Sequence, residues 1–343
     1  MTLPWGDYPV SAVLMSEYAN VKDRGKLVAM VFSMQALGLI AGPIVALTLL
    51  ASGIPGDIAW RLMLGLGAIP ALGVIWMRRT MPESPRYTAQ VVGDGRNAAN
   101  NLIHFGGKPV ADVTGDSKTA PRMTLGQLLR TPRYLRTLIG TAGTWFIFDY
   151  AYYGNSISLP LVLKQVAPSG SPMAAMAWSL LIFAVAAVPG YILAFSTIDK
   201  IGHKKLQLLG FTVMGLAFGL IGLVPHVTHE IVPFLLLFGL SYFFAEFGPN
   251  TTTFVMSAEL FPVSLRTTGH GLSAGIAKIG AFIGVFVFPS LVAALGVNGT
   301  LLLTFGFSIV GVLLTLILPE PSGKSLEELS DPTTPNYSVA GNQ

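Results

Sequence analysis

The 343-residue chain contains no cysteine. Without thiols it can form no disulfide, no thiolate metal site and no cysteine nucleophile. A basic stretch followed by a short apolar core is missing from its start, MTLPWGDYPV, so we expect no cleavable signal peptide. The sequence also shows no nucleophile–base set and no phosphate-binding loop, and an enzyme is therefore not expected.

Charged residues are scarce as well. They make up 11% of the chain, whereas a soluble domain carries about 25%. Hydrophobic residues make up 52% of the chain, and its mean hydropathy is +0.62. This composition predicts an all-α, polytopic membrane helix bundle.

Windows of apolar residues predict nine spans along the chain. They fall near residues 4–19, 27–52, 59–78, 135–162, 173–197, 206–225, 231–257, 268–294 and 299–318. The first is too short to cross alone, since a hydrocarbon core of about 30 Å needs roughly 20 residues.

Lysine and arginine are concentrated on one side of the predicted spans. Most of them lie in the loops 20–26, 79–134, 198–205 and 258–267 and in the tail from residue 319. The opposite side carries Arg61 and Lys164, and Lys278 lies inside a span. By the positive-inside rule, we expect a multi-pass protein of the cell membrane with its basic loops and C-terminus in the cytoplasm.

Two landmarks recur in the same order in the early and late parts of the chain. The spacing Glu17-x6-Arg24 returns as Glu259-x6-Arg266, and the dipeptide at 82–83 returns at 319–320 at a nearly equal offset. A parallel duplication predicts such a pattern. Because the Glu-x6-Arg turn follows the fourth late span but the first early one, three spans are expected to be missing from the front.

Several blocks of sequence resemble a known family. The loop from Asp199 to Lys205 is similar to the D-x-x-G-R-K loop of the major facilitator superfamily, with His203 where arginine is usual. More specific blocks resemble the phosphate:proton symporter family and together cover residues 6–329. They are Gly6-Asp7-Tyr8-Pro9, SEYAN, VFSMQ, GTWFIFDYAYYG, FGPNTTTF, AELFP and RTTGHGLSAGIAK.

The resemblance implies a major facilitator fold truncated to about nine transmembrane helices. Residues 1–79 would be the remnant of an N-terminal bundle, corresponding to helices four to six of the family. Residues 80–133 would form a central cytoplasmic loop, residues 134–318 a six-helix C-terminal bundle, and residues 319–343 a cytoplasmic tail.

The resemblance also implies a substrate site near the middle of the membrane. Its residues would be Tyr8, Gln35, Trp145, Asp149, Tyr153, Asn250 and Lys278. The sequence spacing supports this site without reference to the family, because positions 145, 149 and 153 share one face of a helix. Counting about 1.5 Å per residue places the charged and amide members in the middle third of a core of about 30 Å.

The acidic residues in this set suggest proton coupling. Asp149 within a span would become protonatable near an anion, and Asp7 is a second candidate. Lys278 would supply the positive charge that an anion needs. A structural Asp149–Lys278 ion pair is the alternative for the aspartate, and snorkelling to the interface is the alternative for the lysine.

Glu246 departs from the family, which generally has asparagine at this position. A carboxylate beside an anion site is unfavourable unless it is protonated or paired. Glu246 is therefore compatible with an organic substrate in place of phosphate. Alternatively, it is a third proton-coupling residue.

The resemblance implies that charged residues at the cytoplasmic helix ends form salt bridges, and that these salt bridges close an inner gate. The charged residues are Glu17, Arg24, Asp199, Glu259 and Arg266. Ordinary helix-end charge is the alternative for all of them.

We therefore predict a secondary active transporter that carries inorganic phosphate and protons together by alternating access. A proton-coupled symporter of an organic anion or sugar and a truncated, transport-inactive fragment are the alternatives. The expected partners are phosphate, protons and the lipid bilayer, with no nucleic acid, cofactor or metal. A monomer is expected.

Overall fold

The computed structural model describes residues 7–78, 83–106, 123–166 and 171–330. Within these ranges the chain is helical and contains no strand. The prediction of an all-α fold is confirmed. Helices suit this sequence because a helix satisfies its backbone hydrogen bonds internally, which hydrocarbon requires.

The early part of the chain forms one short helix and two long spans. Helix α1 has only 12 residues, as the short first apolar window predicts. Helices α2 and α3 continue into each other as one apolar span of 28 residues. The bounds are α1 Asp7–Tyr18, α2 Arg24–Ser33, α3 Gln35–Ala51 and α4 Gly56–Arg78.

The central segment predicted as a cytoplasmic loop contains short helices where the structure describes it. They are α5 Pro85–Tyr87, α6 Gly95–Gly106 and α7 Leu125–Arg130. Helix α7 begins with a capping box, in which the Thr124 side chain and the Gln127 side chain each accept a backbone N–H. Residues 107–122, in the middle of this segment, lie outside the described ranges.

The late part of the chain contains the remaining helices. They are α8 Pro132–Ile157, α9 Leu159–Val166, α10 Pro172–Ile182, α11 Val188–Ile201, α12 His203–Leu223, α13 Ile231–Ala245, α14 Thr251–Glu259, α15 Arg266–Leu316 and α16 Leu326–Ser330. Short π-helical turns at 183–187 and 246–250 join α10 to α11 and α13 to α14. Residues 331–343 of the predicted tail lie outside the described ranges.

Six helical stretches among the described residues are long and apolar enough to cross a bilayer. The stretch Val263–Leu316 has 54 residues, which is enough for two crossings. The sequence predicts two spans here, 268–294 and 299–318, and the structure has two helical segments that meet at a kink at Gly296, where the backbone is not helical. That glycine has a φ of +68°, a conformation that side chains disfavour.

Helices α8 and α15 pack with their backbones close together. A Cβ at Gly280 or Gly284 would overlap the carbonyl oxygen of Phe146 or Tyr150. Small residues four positions apart on a helix allow a second helix backbone to approach closely. The similar pair Gly38 and Gly42 has no neighbour within 4 Å. The tight α8–α15 contact therefore fixes which residues of the two helices face each other.

Two buried ion pairs cross between the repeated Glu-x6-Arg segments. Glu17 pairs with Arg266 at 2.9 Å, and Arg24 pairs with Glu259 at 3.0 Å. The exposed fractions of these four side chains do not exceed 4%. Each acid therefore pairs with the arginine of the other segment, and the start of the chain is held against the α14–α15 turn.

The contacts of the Asp199 carboxylate differ from the predicted salt bridge. Its carboxylate accepts hydrogen bonds from the backbone N–H groups of Gly25, at 3.0 Å, and Lys26, at 2.7 Å. The structure shows no ion pair for Asp199 with a described lysine or arginine. The first N–H groups of a helix have no partner within it and carry the positive end of its dipole, so they attract the carboxylate.

Glu320 caps helix α12 in the same way. Its two carboxylate oxygens accept hydrogen bonds from the backbone N–H groups of His203, at 2.9 Å, and Lys204, at 3.0 Å. Partial burial would raise the pKa of this carboxyl, but hydrogen bonds from His203 and Ser322 and the neighbouring imidazole lower it to about 2. The carboxylate is therefore ionised when it caps the helix.

Removing one partner of a crossing pair is expected to destabilise the fold. Glu17→Gln leaves Arg266 buried without its carboxylate, and we expect the free energy of unfolding to fall by about 3 kcal/mol. The double variant Glu17→Gln with Arg266→Met removes both charges and should recover much of that loss. Unfolding of the purified protein in micelles with increasing dodecyl sulfate measures both effects.

The matched control is Asp57→Asn in the pair between Asp57 and Arg61, whose side chains are 71% and 62% exposed. Exposed pairs contribute about 0.5 kcal/mol or less. If Glu17→Gln were no more destabilising than this control, the crossing pairs would not hold the fold together.

Candidate substrate site

Asp149 and Lys278 form the charged centre of the candidate site. The Lys278 Nζ atom lies 2.9 Å from an Asp149 carboxylate oxygen and 3.5 Å from the Tyr153 hydroxyl. The ammonium also lies 4.7 Å from the centre of the Tyr153 ring, within the range of a cation–π contact. The Trp145 side chain is a further hydrogen-bond partner of Asp149. The helix face predicted from positions 145, 149 and 153 therefore meets Lys278 across the α8–α15 contact.

The two charged side chains differ in exposure. The Asp149 side chain is 2% exposed, whereas the Lys278 side chain is 49% exposed. Both lie between residues 134 and 318, so the pair forms within one predicted bundle. The ion pair given as the alternative for Asp149 is present, and Lys278 turns to that carboxylate instead of snorkelling. One side of the ammonium nevertheless stays accessible to a ligand.

Glu246 and Asn250 lie on a distorted turn between α13 and α14. Gly248 has φ −111° and ψ −108°, outside the helical region, and the next residue, Pro249, has no N–H to donate. The helix therefore changes to a π turn, which carries both Glu246 and Asn250 into the protein interior. Their exposed fractions are 0% and 3%.

A line of hydrogen bonds joins this turn to Gln35. Asn250 donates through Nδ2 to a Glu246 carboxylate oxygen and, at 2.8 Å, to the Tyr191 hydroxyl. Tyr191 then donates to the side-chain oxygen of Gln35 at 3.1 Å. Gln35 begins helix α3, so the line connects the early part of the chain to the late part.

Aromatic residues bring the two groups of polar side chains together. The Glu246 carboxyl interacts with the hydroxyls of Tyr191 and Tyr152. The Tyr152 ring lies edge-on to the Tyr153 ring, with 5.3 Å between their centres. Trp145 and Tyr191 belong to the same buried cluster. Five of the seven predicted substrate-site residues, at positions 35, 145, 149, 153 and 278, and the Glu246–Asn250 turn are therefore neighbours.

The side chains of Asp7 and Tyr8 lie outside the described residues, and their predicted roles stay predictions. Their backbone lies in the first turn of α1. The next residue, Pro9, lies beside Gly271 of α15. The start of α1 is therefore close to the helix that carries Lys278.

Sequence analysis missed two buried polar residues in this region. Tyr191 links Asn250 to Gln35, but a single tyrosine in a span usually packs or marks an interface, so it gives no signal. His270 is fully buried, with Nδ1 2.8 Å from the Ser257 hydroxyl and its ring 5.5 Å from the Trp145 ring. A histidine inside a predicted span is a signal that could have identified it.

The described part of the chain contains no group of three histidine, aspartate or glutamate side chains that could hold a metal ion. What the site offers is hydrogen-bond donors, one ammonium group and two buried carboxyl groups, surrounded by apolar helices. These features define a multi-pass membrane carrier with a polar site enclosed by its helices.

Comparison with known proteins identifies the family. Residues 6–331 match the family model described as sugar (and other) transporter. The chain belongs to this family of transporters.

The most similar relatives include two plant proteins. One is the probable inorganic phosphate transporter 1-6 of Arabidopsis thaliana, 36% identical over 367 residues, covering 96% of this chain and 70% of that protein. Another is the low affinity inorganic phosphate transporter 1 of Petunia hybrida, 36% identical over 374 residues, covering 95% of this chain and 70% of that protein. The matched region thus spans about 70% of the relatives' length.

Solved structures share the fold. The proton:xylose symporter XylE bound to 6-bromo-6-deoxy-D-glucose has a TM-score of 0.74 and 20% identity, covering 94% of this chain and 70% of that chain. A double tryptophan mutant of XylE has a TM-score of 0.69 and 22% identity, covering 93% and 69%. These matches confirm the predicted major facilitator fold.

The unequal exposure of Asp149 and Lys278 predicts unequal effects of removing them. Lys278→Met leaves a buried carboxylate without its cation, and we expect a loss of about 3 kcal/mol in the free energy of unfolding. Asp149→Asn leaves a lysine that water can reach, and we expect a loss of about 1 kcal/mol or less. Dodecyl sulfate titration measures both variants, with Lys26→Met, at an exposed position, as the control. Equal losses would contradict this description of the pair.

Proposed function

We propose that this protein is a secondary active transporter that carries inorganic phosphate together with protons. The observation that carries the proposal is the buried Asp149 carboxylate paired with a half-exposed Lys278. The names of the relatives, which are inorganic phosphate transporters, support phosphate as the substrate. The fold shared with a proton:xylose symporter supports the coupled mechanism.

Competition for Lys278 explains how proton and anion would be coupled. An ionised Asp149 neutralises the ammonium at 2.9 Å, so an arriving phosphate would place a second negative charge beside one cation. A proton on Asp149 removes that competition, and the ammonium can then bind the anion. The proton and the phosphate therefore bind together and leave together.

Several neutral groups would complete the anion site. The Tyr153 hydroxyl and the Trp145 indole are hydrogen-bond donors beside the Asp149–Lys278 pair, and the Gln35 amide, joined to Tyr191, would be a further donor. We propose Tyr8 and Asn250 as further members of the substrate site on the strength of the resemblance. Asp7 and Glu246 are proposed as additional proton-coupling residues, and for Glu246 the reason is a fully buried carboxyl that must be protonated or paired, since the family generally has asparagine there.

The crossing ion pairs would serve as the cytoplasmic gate. Glu17–Arg266 and Arg24–Glu259, with Asp199 capping α2, hold the cytoplasmic helix ends together. Opening towards the cytoplasm would separate these groups while two helix bundles rock around the substrate site. The basic loops and the C-terminus would face the cytoplasm of a cell whose plasma membrane holds the protein.

A second candidate is a proton-coupled symporter of a sugar or organic anion. The buried Glu246 carboxyl favours it, because a carboxyl is an acceptor for substrate hydroxyl groups and repels an anion when it is ionised. The family description and the shared fold of the xylose symporter agree with this candidate.

Uptake of radiolabelled phosphate into proteoliposomes tests the proposal. With an acidic exterior, the chain is expected to accumulate phosphate, and collapsing the pH gradient should abolish accumulation. Asp149→Asn should reduce gradient-driven accumulation at least about tenfold, because the proton site is lost. Asp57→Asn, an exposed aspartate on α4, is the matched control and should retain uptake.

Binding of labelled phosphate to the detergent-solubilised chain separates the alternatives. Phosphate binding without uptake would support the site and overturn transport by this chain alone. Gradient-driven uptake of xylose without binding of phosphate would overturn phosphate as the substrate and favour the second candidate. Uptake and pH dependence that survive Asp149→Asn would contradict the coupling role of that residue.

A further inference from the structure

The hydrogen-bonded line from Glu246 through Asn250 and Tyr191 to Gln35 has a defined direction. It connects a fully buried carboxyl group, which the family generally replaces with asparagine, to an amide at the edge of the candidate site. The line crosses from the turn after α13 to α11 and then to α3. Glu246 also lies near the Tyr191 hydroxyl, so a change at position 246 can act on Gln35 through Asn250 and Tyr191 without touching Gln35 itself.

Glu246 determines which end of the Asn250 amide faces it. A carboxylate oxygen accepts hydrogen bonds, so the group facing it must be the NH₂ end of the amide. The same nitrogen lies 2.8 Å from the Tyr191 hydroxyl. An amide nitrogen carries two hydrogens, and both of these are used within the protein. In this arrangement Asn250 therefore takes part in the substrate site indirectly, through its hydrogen bond to Tyr191 and the link from Tyr191 to Gln35.

Tyr191 passes this orientation on to Gln35. A tyrosine hydroxyl has a single proton, and because this one accepts from Asn250, its proton goes to the side-chain oxygen of Gln35 at 3.1 Å. The Gln35 amide makes no other hydrogen bond within the part of the chain that the structure describes. Its NH₂ end, on a partly exposed side chain, is therefore the end available to a ligand.

We propose that Glu246 is a positioning residue that makes Gln35 present N–H donors, not its carbonyl oxygen, to the transported anion. The inference rests on the proposed function. Without an acceptor at position 246, the side-chain amide of Asn250 can rotate by half a turn. Its oxygen then accepts a hydrogen bond from the Tyr191 hydroxyl. Tyr191 then accepts from Gln35, whose oxygen is left facing the anion. The carboxyl that departs from the family thus assists anion binding from a distance.

Phosphate binding to purified variants tests the orientation. Glu246→Leu removes the acceptor and should weaken phosphate binding about tenfold, the effect of one lost hydrogen bond. Glu246→Gln keeps an acceptor oxygen at nearly the same place and should therefore weaken phosphate binding clearly less than Glu246→Leu does. Tyr191→Phe interrupts the line and should weaken binding about as much as Glu246→Leu.

Non-additivity separates positioning from general damage. Glu246→Leu combined with Tyr191→Phe should bind phosphate no more weakly than either single variant, because both interrupt one line. Tyr242→Phe is the matched control, since Tyr242 is a buried tyrosine one turn before Glu246 whose hydroxyl is outside this line. It should bind phosphate as the native protein does.

Three results would overturn the inference. They are Glu246→Gln binding as weakly as Glu246→Leu, additive losses in the double variant, and an equal loss in Tyr242→Phe. If the native protein binds no phosphate, the proposed function fails first, and the role of Gln35 towards an anion fails with it. The line itself is tested separately by the unfolding free energies of the same variants, which should also be non-additive.

Discussion

The central constraint on this protein is that a charge buried among apolar helices must meet an opposite charge or a set of hydrogen-bond donors. Asp149 meets Lys278 in this way, in the middle of the α8–α15 contact. The pair is asymmetric, because the carboxylate is buried and the ammonium is half-exposed. A symmetric, fully buried pair would only hold two helices together. In the proposed mechanism, the half-exposed Lys278 ammonium can exchange the Asp149 carboxylate for a soluble anion.

The same constraint organises the helix ends at the repeated Glu-x6-Arg segments. The repeated Glu-x6-Arg segments exchange partners, so neither acid nor arginine is buried alone. Asp199 and Glu320 meet the constraint with backbone N–H groups at helix starts. Opening such an arrangement requires the buried charges to be solvated together. That requirement makes a closed and an open state more favourable than intermediate ones.

The apolar periods and the spacing of polar residues were enough to predict the all-α bundle and the shared face of positions 145, 149 and 153 on α8. Periodicity predicted these features because lipid leaves few ways to bury a polar group. The pairing of Glu17 and Arg24 with the opposite repeat, in contrast, was not predicted. Asp199 was wrong as a salt-bridge residue, since sequence does not show that a helix start lies beside it. The helix break at Gly296, in contrast, lies between the two apolar windows from which the last two spans are predicted.

Contacts between distant segments were the least predictable part. Tyr191 gained its role only from the positions of Gln35 and Asn250 on two other elements. The π turn at 246–250 was equally invisible, although Gly248 and Pro249 supply its physical cause. Both features concern the orientation of side chains, which depends on local geometry more than on composition or spacing.

In the proposed mechanism a proton on Asp149 releases Lys278 for the anion. The most direct measurement is the number of protons taken up for each phosphate bound, obtained by calorimetry in buffers of different ionisation enthalpy. We predict about one more proton per phosphate in the native protein than in Asp149→Asn, where the phosphate's own protonation cancels in the comparison. Equal proton uptake in the two proteins, with phosphate still bound, would contradict the claim.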